Sequence, residues 1–196
     1  LRGQAAYVRT TDALLRVPLG AVLEVAFIFV PLAYHAIYGL WLMRAGVAAS
    51  PPHGRKLALV DRAAAIGALA FIVWHVWEYR VGVARGLDPH AFYATLVWRL
   101  SSTWHGFPAR AVLYWVGLGA TVFHFACGAW SYGVTSGFLA TAREKRRAAV
   151  GAVALGSLLF VVSSATVISL ATGLELSSGP EASAPSTKYL RPASLD

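Results

Sequence analysis

Val30-Pro31-Leu32-Ala33-Tyr34-His35-Ala36-Ile37-Tyr38-Gly39 sets a single histidine inside a largely apolar run that extends over residues 17–43. A helix rises about 1.5 Å per residue and a hydrocarbon core near 30 Å is crossed by roughly 20 residues, so this run can span a bilayer. An imidazole held at such a depth must find a partner or forfeit several kcal/mol of hydration. Two further histidines, His75 and His124, sit in two more runs of the same kind. Three imidazoles on three spans, with small residues beside some of them, form a pattern of ligands, and haem is the group it favours.

The composition agrees with a membrane protein. Of 196 residues, 57% are hydrophobic and only 13% charged, with a mean hydropathy of +0.58. A soluble domain would carry about 25% charge. The expected fold is therefore all-α, a transmembrane helical bundle without a separate soluble domain. A net charge of +8 would fit a nucleic-acid partner. In a membrane chain it is better explained by basic loops on the cytoplasmic side, and no nucleic-acid partner is expected. The single cysteine, Cys127, excludes an internal disulfide and any cysteine cluster for iron–sulfur or zinc. The sequence has no C-x-x-C-H, so haem would be held without covalent attachment. The first residue is Leu1 rather than Met and no signal peptide precedes it, which is read as a missing N-terminus.

Four spans are expected, at about 17–43, 57–83, 109–134 and 148–172, which makes residues 17–172 the bundle. Residues 1–16, with Arg2, Arg9, Asp12 and Arg16, form an outer-side lead-in that suits a short interfacial helix. Pro18 suits the first turn of the following helix, and Pro31 is expected to kink that helix just before His35. Pro51-Pro52-His53-Gly54 reads as a turn. Residues 90–104 are rich in Phe, Tyr and Trp and are expected to lie flat at the membrane interface. The fourth span is rich in Gly, Ala and Ser and carries no histidine, while residues 173–196 read as a flexible polar tail. Arg44, Arg55, Lys56 and Arg62 flank one short loop, and Arg143, Lys145, Arg146 and Arg147 fill another. Both loops should be cytoplasmic, which puts the two ends of the chain outside.

Depth sorts the histidines. The first and third spans run in the same direction, with His35 eight residues before position 43 and His124 ten before position 134. Both imidazoles then sit roughly 12–15 Å from the inner ends of their helices and can clamp one haem between them. The second span runs the other way, which puts His75 in an outer layer without a partner. Gly39 and Gly128, one turn from His35 and His124, leave room for a porphyrin edge, although contact between helices explains glycines equally well. His53, His90 and His105 fall in loops and read as solvated. The tryptophans read as interfacial anchors.

These residues also carry a resemblance. Leu23-Glu24-Val25 with the segment 29–39, then Trp74-His75-Val76-Trp77-Glu78-Tyr79-Arg80, then Val122-Phe123-His124-Phe125-Ala126-Cys127-Gly128-Ala129-Trp130, are similar in order and content to the cytochrome b membrane anchor of succinate dehydrogenases and fumarate reductases, in its single-chain, two-haem form. The resemblance covers the chain from about Gly3 to the end of the fourth span. It implies five transmembrane helices in a bacterial cytoplasmic membrane, with two b haems stacked across the bilayer, each bound by two histidines. His35 and His124 would hold the inner haem. His75 would hold the outer one with a histidine on the family's first helix, which is absent from this sequence. It further implies electron transfer between succinate and a quinone, usually menaquinone, with flavoprotein and iron–sulfur subunits docked on the cytoplasmic face. The resemblance is also compatible with a homo-oligomer of the whole complex. Arg62 then becomes a candidate for an inner-haem propionate, and Arg80 and Arg110 for the outer haem. Glu24, about 16 Å outward of His35, becomes a candidate for proton exchange with an outer quinone, whereas Glu78 reads as an interface residue. Two other readings compete: the cytochrome b anchor of a hydrogenase or formate dehydrogenase, and a haem-free membrane protein whose histidines relay protons.

Overall fold

The computed structural model describes residues 3–45 and 54–173, and its regular elements are helices. In chain order they are α1 (Gly3–Leu15), α2 (Gly20–Arg44), α3 (Arg55–Ala84), α4 (Phe92–Ser101), α5 (Ala109–Thr135) and α6 (Ala142–Thr172). Four of them, α2, α3, α5 and α6, are long and apolar enough to cross a membrane, with 25, 30, 27 and 31 residues. At about 1.5 Å per residue each exceeds a 30 Å hydrocarbon core. The turn at Pro51-Pro52, His53 and residues 174–196 lie outside the described residues.

Local chemistry explains the ends. Thr141 caps α6 reciprocally: its hydroxyl accepts the Glu144 backbone N–H at 3.2 Å, and the Glu144 carboxylate accepts the Thr141 N–H at 2.8 Å. Gly173 closes the same helix with a left-handed φ of 71°. The chain between α1 and α2 turns at Leu19, which takes a φ of 57°. Pro18 therefore lies in this turn rather than inside the first turn of α2. Pro31 has no N–H to return to the preceding turn. The helix answers one turn earlier, where residues 25–29 form a wider π-helical turn that absorbs the irregularity. A second π turn occupies residues 77–81, directly after His75.

Helices α3, α5 and α6 lie against one another. A Cβ on Gly117 would collide with the Phe71 ring, and one on Gly156 would meet the Ala126 Cβ at 3.2 Å. These glycines let backbones approach, which in lipid is a main source of helix association. The core lies toward the end of the bundle that carries the α3–α5 connection. Phe71, Leu100, Ala111, Tyr114 and Val167 form it, so α4 contributes as much as the long helices. Thr95 and Leu100 of α4 are fully buried, so α4 turns one face to the bundle. Helix α2 differs: none of its residues is buried, and specific side chains carry its approach to the rest.

Candidate functional site

His35 follows Pro31 by one turn on α2 and faces His124 of α5, with ring centres 6.0 Å apart and planes inclined by 52°. Two imidazoles sharing one metal, each nitrogen about 2 Å from it and each ring centre about 1 Å farther, would have centres about 6 Å apart. The pair thus has the spacing of two axial ligands. His124 Nδ1 lies 3.0 Å from Asp61 Oδ1 of α3. That engages one ring nitrogen and leaves Nε2 for a metal. His35 is exposed between α2 and the other spans. A Cβ built on Gly39 or Gly128 meets nothing within 4 Å, so neither glycine serves a close helix contact. The room beside the ring pair suits the edge of a flat macrocycle. Among the described residues no three His, Cys, Asp or Glu side chains converge on one metal position. A porphyrin supplies its own equatorial ligands, so an axial pair suffices.

His75 stands apart from that pair, among Phe71, Tyr79 and Tyr114, whose rings lie 5.8, 5.1 and 5.7 Å from its own. Its Nδ1 is 3.1 Å from the Tyr114 hydroxyl. That hydroxyl is also 3.4 Å from Tyr79 Oη and 3.4 Å from Glu78 Oε2. Glu78 is the hub of this end of the bundle. Its Oε1 takes Arg110 Nη1 at 2.6 Å and Arg99 Nη1 at 2.9 Å, and its side chain and that of Arg99 are only 10% and 12% exposed. Glu78, read from the sequence as an interface residue, is thus also a largely shielded ionic hub. A polar recess of about 320 Å³ opens beside it, lined by Trp77, Glu78, Arg85 and Arg99.

The remaining candidates are distributed as follows. Glu24 of α2 and Arg80 of α3 form an ion pair at 2.7 Å. Arg80 and Arg110 each hold a carboxylate, Glu24 and Glu78 respectively, whereas Arg62 makes no ion pair among the described residues. His105 sits with positive φ in the tight turn between Trp104 and Phe107. His90 is more engaged than a solvated loop residue: its Nε2 reaches Asp12 at 2.8 Å and its Nδ1 reaches Asp88 at 2.9 Å. Hydrogen bonds to Asp88 and then Asp12 raise its pKa, and the His90 backbone N–H holds the Asp88 carboxyl below its ordinary range.

Sequence reasoning missed Asp61, Tyr114 and Arg99. Asp61 alone had a signal, an acidic residue one helical turn inside a membrane span. An apolar groove of about 620 Å³ lies between α5 and α6, lined by Phe123, Cys127, Trp130 and Phe160 among others, and carries no charged side chain.

No family model matches the chain, and no solved structure matches it. The chain is similar to the succinate dehydrogenase cytochrome b558 subunit of Bacillus subtilis (strain 168), with 34% identity over 148 residues that cover 74% of this chain and 70% of that protein. With four membrane-length helices and histidines facing across them, the chain belongs to the succinate dehydrogenase cytochrome b membrane subunits.

Proposed function

We propose that this chain carries electrons between the iron–sulfur subunit of a succinate dehydrogenase and a quinone, menaquinone or another, in a bacterial cytoplasmic membrane. In this reading His35 and His124 would hold the inner b haem, and His75 would hold an outer one. The observation that carries it is the His35–His124 ring pair, 6.0 Å apart, with Asp61 on Nδ1 of His124. Haem b, when bound, takes and gives one electron at a time. The protein's share is to hold the axial positions, to keep water away with apolar helix faces, and to set charges nearby. Among the described residues no histidine is among the rings around His75, so a second histidine for an outer haem would have to come from elsewhere. Flavoprotein and iron–sulfur subunits would dock at the basic, cytoplasmic face.

Glu24 is the proposed proton exchanger for the quinone. Its pairing with Arg80 keeps the carboxylate in place near the outer level, and its exposure lets it meet a ligand there. Arg62 remains the candidate for an inner propionate, since it holds no carboxylate among the described residues. Arg80 and Arg110 would reach a propionate of the outer haem only by sharing it with Glu24 and Glu78.

The test is the haem b content of the purified complex, measured as pyridine haemochrome. His35→Ala and His124→Ala should each remove the same single haem, and the double variant no more than that. Full haem in either variant would overturn the assignment. In the same preparation Glu24→Gln should abolish quinone turnover while haem content stays at the wild-type level. Unchanged turnover would take Glu24 out of the mechanism.

A further inference from the structure

His124 and His75 are both held at Nδ1, but by chemically different groups. On His124 the group is the Asp61 carboxylate, at 3.0 Å. On His75 it is the Tyr114 phenol, at 3.1 Å. Asp61 lies six residues into α3, about 9 Å from its start. A carboxylate at that depth is costly unless it is paired. Among the described residues its ion-pair partner is His124, and the two side chains are only 19% and 30% exposed.

We propose that Asp61 is a positioning residue for His124 that also sets the redox poise of the inner site. Its carboxylate accepts the Nδ1–H and so fixes the tautomer in which Nε2 carries the free lone pair. It also draws the N–H proton toward itself, which makes His124 a more basic ligand. A more basic axial ligand favours the oxidised iron, so Asp61 lowers the affinity of this site for an electron. On His75 the neighbour is a neutral phenol rather than a carboxylate. Shielding from water strengthens the pull of Asp61, because a hydrogen bond polarises its partner more in a low dielectric. This inference rests on His124 being an axial ligand, as proposed above.

The test uses the whole complex in membranes. Asp61→Asn keeps the shape and an oxygen acceptor but removes the charge, and Asp61→Glu keeps the charge. Redox titration of the b-haem absorbance follows each haem separately. In the Asn variant, the haem that His124→Ala removes should show an approximately tenfold higher ratio of reduced to oxidised form at a fixed potential, a rise of about 59 mV in midpoint for one electron. The other haem should stay where it is, and the Glu variant should titrate close to wild type. Wild-type midpoints in an Asn variant with full haem, or equal shifts of both haems, would overturn the proposal. If Asn empties the site, the Glu variant decides: wild-type haem content there upholds the role of the carboxylate, and loss there too overturns it. A wild-type complex that lacks the His124-dependent haem would sink the haem reading itself, and so separates the two failures.

Discussion

Glu78 accepts two guanidinium groups with a side chain only 10% exposed. Its partner Arg99 already carries a buried Nε without a hydrogen-bond acceptor, and its Nη1, 2.9 Å from Glu78 Oε1, is held by charge rather than by a well-directed hydrogen bond. Removing the carboxylate would leave that guanidinium unpaired in a shielded place, which typically costs about 3–5 kcal/mol. Glu78→Ala should therefore lower the thermal midpoint of the purified protein substantially, as followed by tryptophan fluorescence. Arg110→Ala should lower it far less, because Arg110 is 44% exposed and exposed pairs are worth under about 1 kcal/mol. An equal loss in both variants would show that burial does not govern this hub. Glu78 also marks a limit of sequence reading. The depths of His35 and His124 follow from counting residues along helices of known rise. Arg99 reaches Glu78 from α4, across a connection whose path no periodicity dictates. Asp61 reaches His124 across 63 positions for the same reason.

The elements were legible wherever hydropathy runs on without interruption, which is true of α2, α3, α5 and α6. Helix α4 was not, because its aromatic residues look alike whether they face lipid headgroups or protein. Only the full burial of Thr95 and Leu100 shows which of its faces meets the bundle. Helix α1 is tied to the chain before α4 by His90, which bridges Asp12 and Asp88. With both ring nitrogens on carboxylates, this bridge is made by the imidazolium. The folded pKa of His90 is raised above its ordinary 6.5, so the contact is complete below that value and lost as pH rises through the raised one. The Asp88 pKa is depressed below its ordinary 3.8, so its share is complete above that value and lost as pH falls through the depressed one. Hydrogen exchange over residues 6–15 should accordingly quicken as pH passes the raised His90 value, beyond the normal chemical increase, and His90→Gln should abolish the extra step. A flat, pH-independent protection in the wild type would refute the bridge.

At the scale of the whole molecule, two polar levels lie along the bundle: Glu24 with Arg80 near one end, and His35 with His124 and Asp61 farther in. If the His35–His124 pair and His75 each hold a haem, the intact complex should contain two haems b for each copy of this chain. His75→Ala should remove one, and His35→Ala the other. Loss of the same haem in both variants would collapse the two sites into one. The connection between the levels runs through residues 25–29. In an unbroken α-helix Glu24 and His35, eleven residues apart, would point in directions within about 20° of each other. They meet partners on two different helices, Glu24 pairing with Arg80 of α3 and His35 facing His124 of α5. The π turn between them winds less per residue and opens that angle. It works as a gear between the two ends of α2. Deleting one residue from it would leave length and hydropathy almost intact, yet it would turn Glu24 by about 100° relative to His35, and a chain that still spans the membrane would no longer engage both neighbours at once.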